Sequence, residues 1–183
     1  GSFIGQPKLN GSNVSLFQNG EINHVMNRHK ERMTNFKLKP EELNEVYRGC
    51  GEWSVLNGEY MNKSKKDGNK AIFNDKLVIF DLLVLDGNYL IGHTFQQRVD
   101  LMDEVFGTEE SEYDYLYKIT DNIYRVKSFD SGFKALYDLW TPTDMIEGLV
   151  LKRKNAKLEM GLTESNNMRS QLKCRKVTKN YKY

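Results

Sequence analysis

The sequence predicts an α+β fold, and three observations carry that expectation. Short alternating or apolar runs bounded by turn residues recur at 13–18, 21–26, 53–60, 76–85, 115–119, 123–126, 148–153 and 171–177. Sustained helical spacing of apolar residues is confined to 95–106 and 131–140. Strands and helices do not alternate regularly, so a doubly wound parallel sheet is not expected. A length of 183 residues suits one domain spanning 1–183, and 39% hydrophobic content is enough to give it a proper core.

The first stretch of interest is Gln6-Pro7-Lys8-Leu9-Asn10-Gly11-Ser12-Asn13. Proline holds the approach to Lys8 extended, and Gly11 gives room for close approach to a bulky ligand. Val14 and Leu16 alternate with polar Ser15 in a run that ends at Gln18, and Asn19-Gly20 is expected to turn this strand back into 21–26. Asn27-Arg28-His29-Lys30 follows as a polar strand end. Pro40, Glu41 and Glu42 mark a helix start. The strand at 53–60 leads to a polar loop over 63–69. Residues 76–85 form the most apolar run, a buried strand closed by an Asp86-Gly87 turn. Val99, Leu101, Met102 and Val105 give the 95–106 helix its apolar side, and Phe133, Leu136, Leu139 and Trp140 do the same for 131–140. Polar residues over 155–167 separate the last two strands. Trp53 and Trp140 are expected in the core, and Lys152, Arg153 and Lys154 read as an exposed basic run.

Composition excludes several classes. No apolar run approaches the roughly 20 residues of a membrane-spanning helix, so no membrane partner is expected. Gly1-Ser2 resembles a cloning scar. Cys50 and Cys174 lack metal-ligand spacing, and His24, His29 and His93 form no HExxH pattern. These points favour a reducing, cytoplasmic setting, including that of a viral protein in host cytoplasm. Net charge is only +2, but Lys173, Arg175, Lys176, Lys179 and Lys182 make the C-terminus basic while 103–114 is acidic. A basic end suits phosphate or nucleic acid as well as a solvated tail.

Further residues follow in a telling order. Arg28 comes after the first hairpin, Gly58-Glu59 ends a strand in a carboxylate, and Phe80-Asp81 lies inside the buried strand. Glu147-Gly148-Leu149-Val150 opens a strand with a carboxylate, and Lys173 and Arg175 are two apart, so they share a strand face. Together with Lys8-Leu9-Asn10-Gly11, this set resembles the six ordered motifs of the covalent nucleotidyltransferases: ATP-dependent DNA ligases, RNA ligases and messenger RNA capping enzymes. The resemblance runs across nearly the whole chain.

The resemblance implies an adenylation domain with two mainly antiparallel sheets, flanking helices and a nucleotide between them. It implies ATP and Mg²⁺, with Mn²⁺ as a substitute, and a nicked or broken nucleic-acid strand as acceptor for a monomeric enzyme. Lys8 would be the nucleophile on the α-phosphate. A lysine of ordinary pKa ≈ 10.4 is mostly protonated, and freeing its lone pair near pH 7.4 costs about 4 kcal/mol. Lys173 and Arg175 would lower that cost and steady phosphate charge. Glu147, with Glu59, would bind the metal, since carboxylates suit that hard ion. Gln6, Asn13 and Arg28 would complete the nucleotide-binding set with Glu59 at the ribose and Phe80 stacked on the purine.

Asn10 and Asn13 stand where DNA ligases and capping enzymes usually carry Asp and Arg, and Lys-x-x-Gly-Ser-Asn is instead similar to RNA ligases. Phe80-Asp81 followed by Gln97-Arg98 is similar to DNA ligases. The balance leans to RNA ligase over DNA ligase, with a GTP-using capping enzyme or a non-catalytic binding module as alternatives. The short segment before Lys8, and no oligonucleotide-binding or helical domain following Tyr183, lead us to expect an isolated catalytic core or a minimal enzyme.

Overall fold

A computed structural model describes residues 1–159 and 171–176. Ten strands and three helices are formed among them. β1 (Phe3–Leu9), β9 (Ile146–Arg153) and β10 (Gln171–Arg175) make a small antiparallel sheet in the order β1-β9-β10. The larger, seven-stranded sheet runs β3-β2-β4-β5-β8-β7, from β2 (Ser12–Gln18), β3 (Asn23–Asn27), β4 (Ser54–Met61), β5 (Lys76–Leu85), β7 (Leu116–Lys118) and β8 (Ile123–Val126). The two-residue β6 (Asn88–Tyr89) pairs with β5. Every pairing is antiparallel except β5 with β8, so the expected α+β architecture of two mainly antiparallel sheets is the one observed.

Alternation in the sequence decides which face of the large sheet is covered. Val14, Leu16, Leu56, Ile79 and Leu82 point to one side and pack with Leu43 of α1 (Pro40–Asn44) and Phe95, Val99 and Met102 of α2 (Phe95–Phe106). α2 opens on a reciprocal capping box, Thr94 Oγ1 accepting from the Gln97 N–H and Gln97 Oε1 from the Thr94 N–H. Such a cap contributes about 1 kcal/mol. A second core joins the back of the small sheet to α3 (Phe133–Trp140), through Leu9, Leu149, Ile146 and Trp140. The faces left over, polar in sequence, look at one another across a cleft.

Several expectations shift in detail. β1 is a full strand where the sequence predicts only an extended approach to Lys8; Pro7 and Gly5 hide it. The first hairpin pairs Gln18 with Asn23 rather than Glu21. Asn19 Oδ1 accepts the N–H groups of both Glu21 and Ile22, which widens the turn to four residues. The Asp86-Gly87 turn is as expected: both residues have positive φ, 47° and 82°, and connect β5 to β6 directly. Part of the acidic 103–114 stretch is neutralised by β8 and its neighbour, Asp103 pairing with Arg125 and Glu110 with Lys127. Among the described residues no helix is long and apolar enough to cross a membrane. Residues 160–170 and 177–183, including parts of the polar stretch and basic end, lie outside the described residues.

Candidate active site

Lys8 is the last but one residue of β1, and the chain passes through Asn10 and Gly11 into β2 of the other sheet. The nucleophile expected from sequence therefore stands at the seam between the sheets. Gly11 is needed there for a reason other than a ligand: a Cβ would meet the Tyr60 carbonyl oxygen of β4 at 2.6 Å. Its N–H donates to Glu59 Oε2 at 3.2 Å, which ties the seam to β4.

Register assembles the small-sheet half of the site. Lys8 and Arg175 both lie opposite Gly148, and Gln6 and Lys173 both lie opposite Val150. Residues opposite one another, and residues two apart, share a face. Gln6, Lys8, Lys173 and Arg175 thus form a patch of one face, with a gap at Gly148 in the middle. That gap is required, since a Cβ on Gly148 would meet the Cys174 carbonyl oxygen at 1.9 Å. A register shift between Lys8 and Leu9 leaves Glu147 at an irregularity in β9, so it lies within the strand and not at its start. There its Oε2 accepts from Lys8 Nζ at 2.5 Å. β10 is held by Lys176, whose N–H donates to the Glu147 carbonyl and whose Nζ donates to the carbonyls of Thr141 and Thr143 just beyond α3.

The large sheet supplies the opposite wall. Asn13 of β2 faces Glu59 of β4, which faces Val78 of β5, and Phe80 stands two residues on. All nine residues expected at the site, Gln6, Lys8, Asn13, Arg28, Glu59, Phe80, Glu147, Lys173 and Arg175, line one cleft of about 1790 Å³. They are not equally placed. Gln6 is buried and donates to Ser128 Oγ at 3.0 Å, whereas Arg28 is exposed on the loop after β3. Among the described residues no group of three or more His, Cys, Asp and Glu side chains is arranged to hold a metal.

Two features of the cleft were not anticipated. Lys152 is buried rather than exposed, with Nζ 4.9 Å from the ring centroids of both Phe80 and Phe95. It follows Val150 on the same strand face, so the period of two was the available signal. Trp53 is 39% exposed and lines the cleft instead of joining the core; Trp140 is buried as expected. Behind Phe80, Asp81 takes a two-pronged pair from Arg98 of α2, Nε to Oδ1 at 2.9 Å and Nη2 to Oδ2 at 3.1 Å. Arg98 Nη1 donates to the His93 carbonyl, and its guanidinium lies over the Phe95 ring. Phe80-Asp81 and Gln97-Arg98, separate in sequence, are one joint fixing β5 to α2.

A lysine paired with a carboxylate, with two cations on the same sheet face and a phenyl ring on the opposite wall, is the arrangement expected of a nucleotidyltransferase. The ATP-dependent DNA ligase domain family matches residues 1–171. The chain belongs to that family. No curated protein matches it in sequence. Solved structures similar to this ligase-family chain include the ligase domain of LigD from M. tuberculosis, at 15% identity and a TM-score of 0.59, covering 87% of this chain and 50% of that one. A mycobacterial DNA ligase D complexed with ATP and MES is similar at 15% identity and a TM-score of 0.61, over 87% of this chain and 51% of that one. A Lig E DNA ligase, from work on DNA binding with a minimal scaffold, gives 14% identity and a TM-score of 0.57, over 96% and 62%. At these identities the likeness is one of fold. The chain spans about half the length of the ligase D structures it matches.

Proposed function

We propose that this domain transfers adenylate from ATP to Lys8 and then to the 5′-phosphate of a broken DNA strand. The observation that carries the reading is the 2.5 Å contact between Lys8 Nζ and Glu147 at the seam of the two sheets, with Arg175 across the Gly148 gap. The nitrogen lone pair of Lys8 would attack the α-phosphorus; an N–P bond forms, the bond to the bridging oxygen breaks and pyrophosphate leaves. Nζ must first lose a proton, and Glu147 is the base within reach. Arg175 and Lys173 would bear the charge that builds on the phosphate oxygens. Phe80 would offer its ring to the purine, with Gln6, Asn13 and Glu59 along the walls and Arg28 at the rim.

In the next step an oxygen of the 5′-phosphate would displace Lys8 from phosphorus, giving a pyrophosphate-linked AMP. A 3′-hydroxyl would then attack the 5′-phosphorus, and AMP would leave with the sealed bond formed. Glu59 and Glu147 suit Mg²⁺, or Mn²⁺, as a hydrated ion held by one or two carboxylates and substrate phosphates. Bound there, the ion would supply positive charge to offset the charge that builds on the substrate phosphates.

DNA rather than RNA is favoured by membership of the DNA ligase domain family and by the Asp81–Arg98 joint, against the RNA-ligase-like Asn10 and Asn13. The deciding experiment is intact mass after incubation with Mg²⁺ and ATP or GTP, followed by sealing of nicked duplexes with DNA or RNA strands. The expected result is one AMP on the peptide holding Lys8 and faster sealing of DNA. A GMP adduct would move the protein to capping chemistry. No adduct with either nucleotide would leave a binding module.

A further inference from the structure

The face of β2 that carries Asn13 at the site continues through Ser15 to Phe17. Two residues per repeat at about 3.4 Å per residue put Phe17 about 14 Å from Asn13, the length of roughly four stacked nucleotides. At that end of the cleft Phe17 lies opposite His24 of β3, and the His24 and Trp53 rings lie 6.1 Å apart and within 12° of parallel. Phe17 is 36% and Trp53 39% exposed, though both are large rings on a concave wall. Cations stand beside them on the loop after β3: Arg28, Lys30 and Arg32, with Arg32 Nη2 donating to His24 Nδ1 at 2.9 Å. Glu31 is the acid among them.

Aromatic rings on an open wall next to a row of cations are the arrangement that binds single-stranded nucleic acid, the rings taking base faces and the cations phosphates. We infer that Phe17, His24 and Trp53 form a ledge for unpaired bases of the strand, with Arg28, Lys30 and Arg32 on its phosphates. Charge decides against an apolar protein segment as occupant, because such a segment would leave those cations without partners. The inference rests on the proposed ligase reading for the strand's identity, but not on Lys8 chemistry.

The protein carries its own probe. Trp140 is buried at 2% exposure, so the solvent-sensitive tryptophan emission belongs to Trp53. Titration with a short oligothymidylate, and with a nicked DNA duplex frayed at the break, should quench that emission saturably. Labelled-oligonucleotide anisotropy should give the same midpoint, moving to higher concentration with salt. Trp53→Ala should weaken the frayed duplex roughly 5- to 150-fold, and Phe17→Ala should act in the same direction.

Saturable binding with unchanged tryptophan emission would overturn the ledge. So would unchanged affinity in a Phe17→Ala/Trp53→Ala variant whose far-ultraviolet dichroism matches the parent, or no binding of either oligonucleotide. A blue shift of Trp53 with rising protein concentration and no nucleic acid would give the ledge to a second copy instead. ATP labelling of the unaltered protein, run in parallel, tests Lys8 separately, so its failure and the ledge's failure are distinguishable.

Discussion

Two ion pairs, both built from residues of the sequence motifs, stand on either side of the cleft wall and differ in nearly every respect. Asp81 and Arg98 are joined by two hydrogen bonds with side chains 8–9% exposed, between a strand and a helix whose positions they fix. Lys8 and Glu147 share a single contact, at 18% and 29% exposure, on the open side. The first pair is saturated, because Asp81 also accepts the Leu82 N–H and Arg98 also donates to the His93 carbonyl. The second leaves lone pairs and hydrogens facing the cleft. A closed pair holds shape; a half-open pair can exchange its partner for a substrate.

The sharpest way to break the comparison is at Lys8. Lys8→Ala should abolish the AMP adduct in intact-mass measurements while leaving the thermal midpoint little changed, since a single half-open pair contributes about 1 kcal/mol or less. Surviving adduct would place the chemistry on another residue. Glu147→Gln keeps shape and removes the base; adenylylation, followed under single-turnover conditions, should slow by about 10²–10⁴-fold. An unchanged rate at low Mg²⁺ would remove Glu147 from both of its roles.

The opposite pattern is expected of the closed pair. Arg98→Met leaves a buried carboxylate unpaired and should lower stability by about 3–5 kcal/mol in urea unfolding. Adding Asp81→Leu should restore most of it, and failure to do so would mean that Arg98 acts mainly through Phe95 and His93.

The smallest effect lies away from the cleft, at Glu42. Burial pushes its carboxyl pKa up, but hydrogen bonds from the Thr120 hydroxyl and from Asn122 outweigh that and leave it below the ordinary 4.5. A carboxylate lowered in the folded state contributes stability above its unfolded pKa and loses it as pH falls through the folded value. Urea midpoints should therefore fall below about pH 4.5, and Glu42→Gln should flatten part of that fall. Parallel curves for the two proteins would take the acid sensitivity away from Glu42.

Much of the cleft was legible because its walls alternate. Asn13, Ser15, Asn57 and Glu59 interrupt apolar runs with period two, so their common face could be inferred before any contact was known. Gly148 was visible as part of a motif, but not as the space that lets β10 approach; that depends on a strand reached only after 160–170. β1 was hidden because Pro7 and Gly5 are poor strand formers and its hydrogen-bond partner, β9, is far along the chain. Trp53 is expected in the core, yet its side chain falls on the cleft face. Lys152 departs the other way: a lysine is normally solvated, and here it is buried with its ammonium against the rings of Phe80 and Phe95.

The crossing at Asn10 and Gly11 has a consequence in the language of complementation. β1 is held by its ladder with β9, and Lys8 rides on that strand alone. A peptide ending at Asn10, added to a fragment beginning at Gly11, would dock as a donor strand and bring the nucleophile with it. With Lys8 as the acceptor of AMP, the label would appear on the peptide and on no other fragment, so reassembly of the fold and completion of the chemistry would be read as one event.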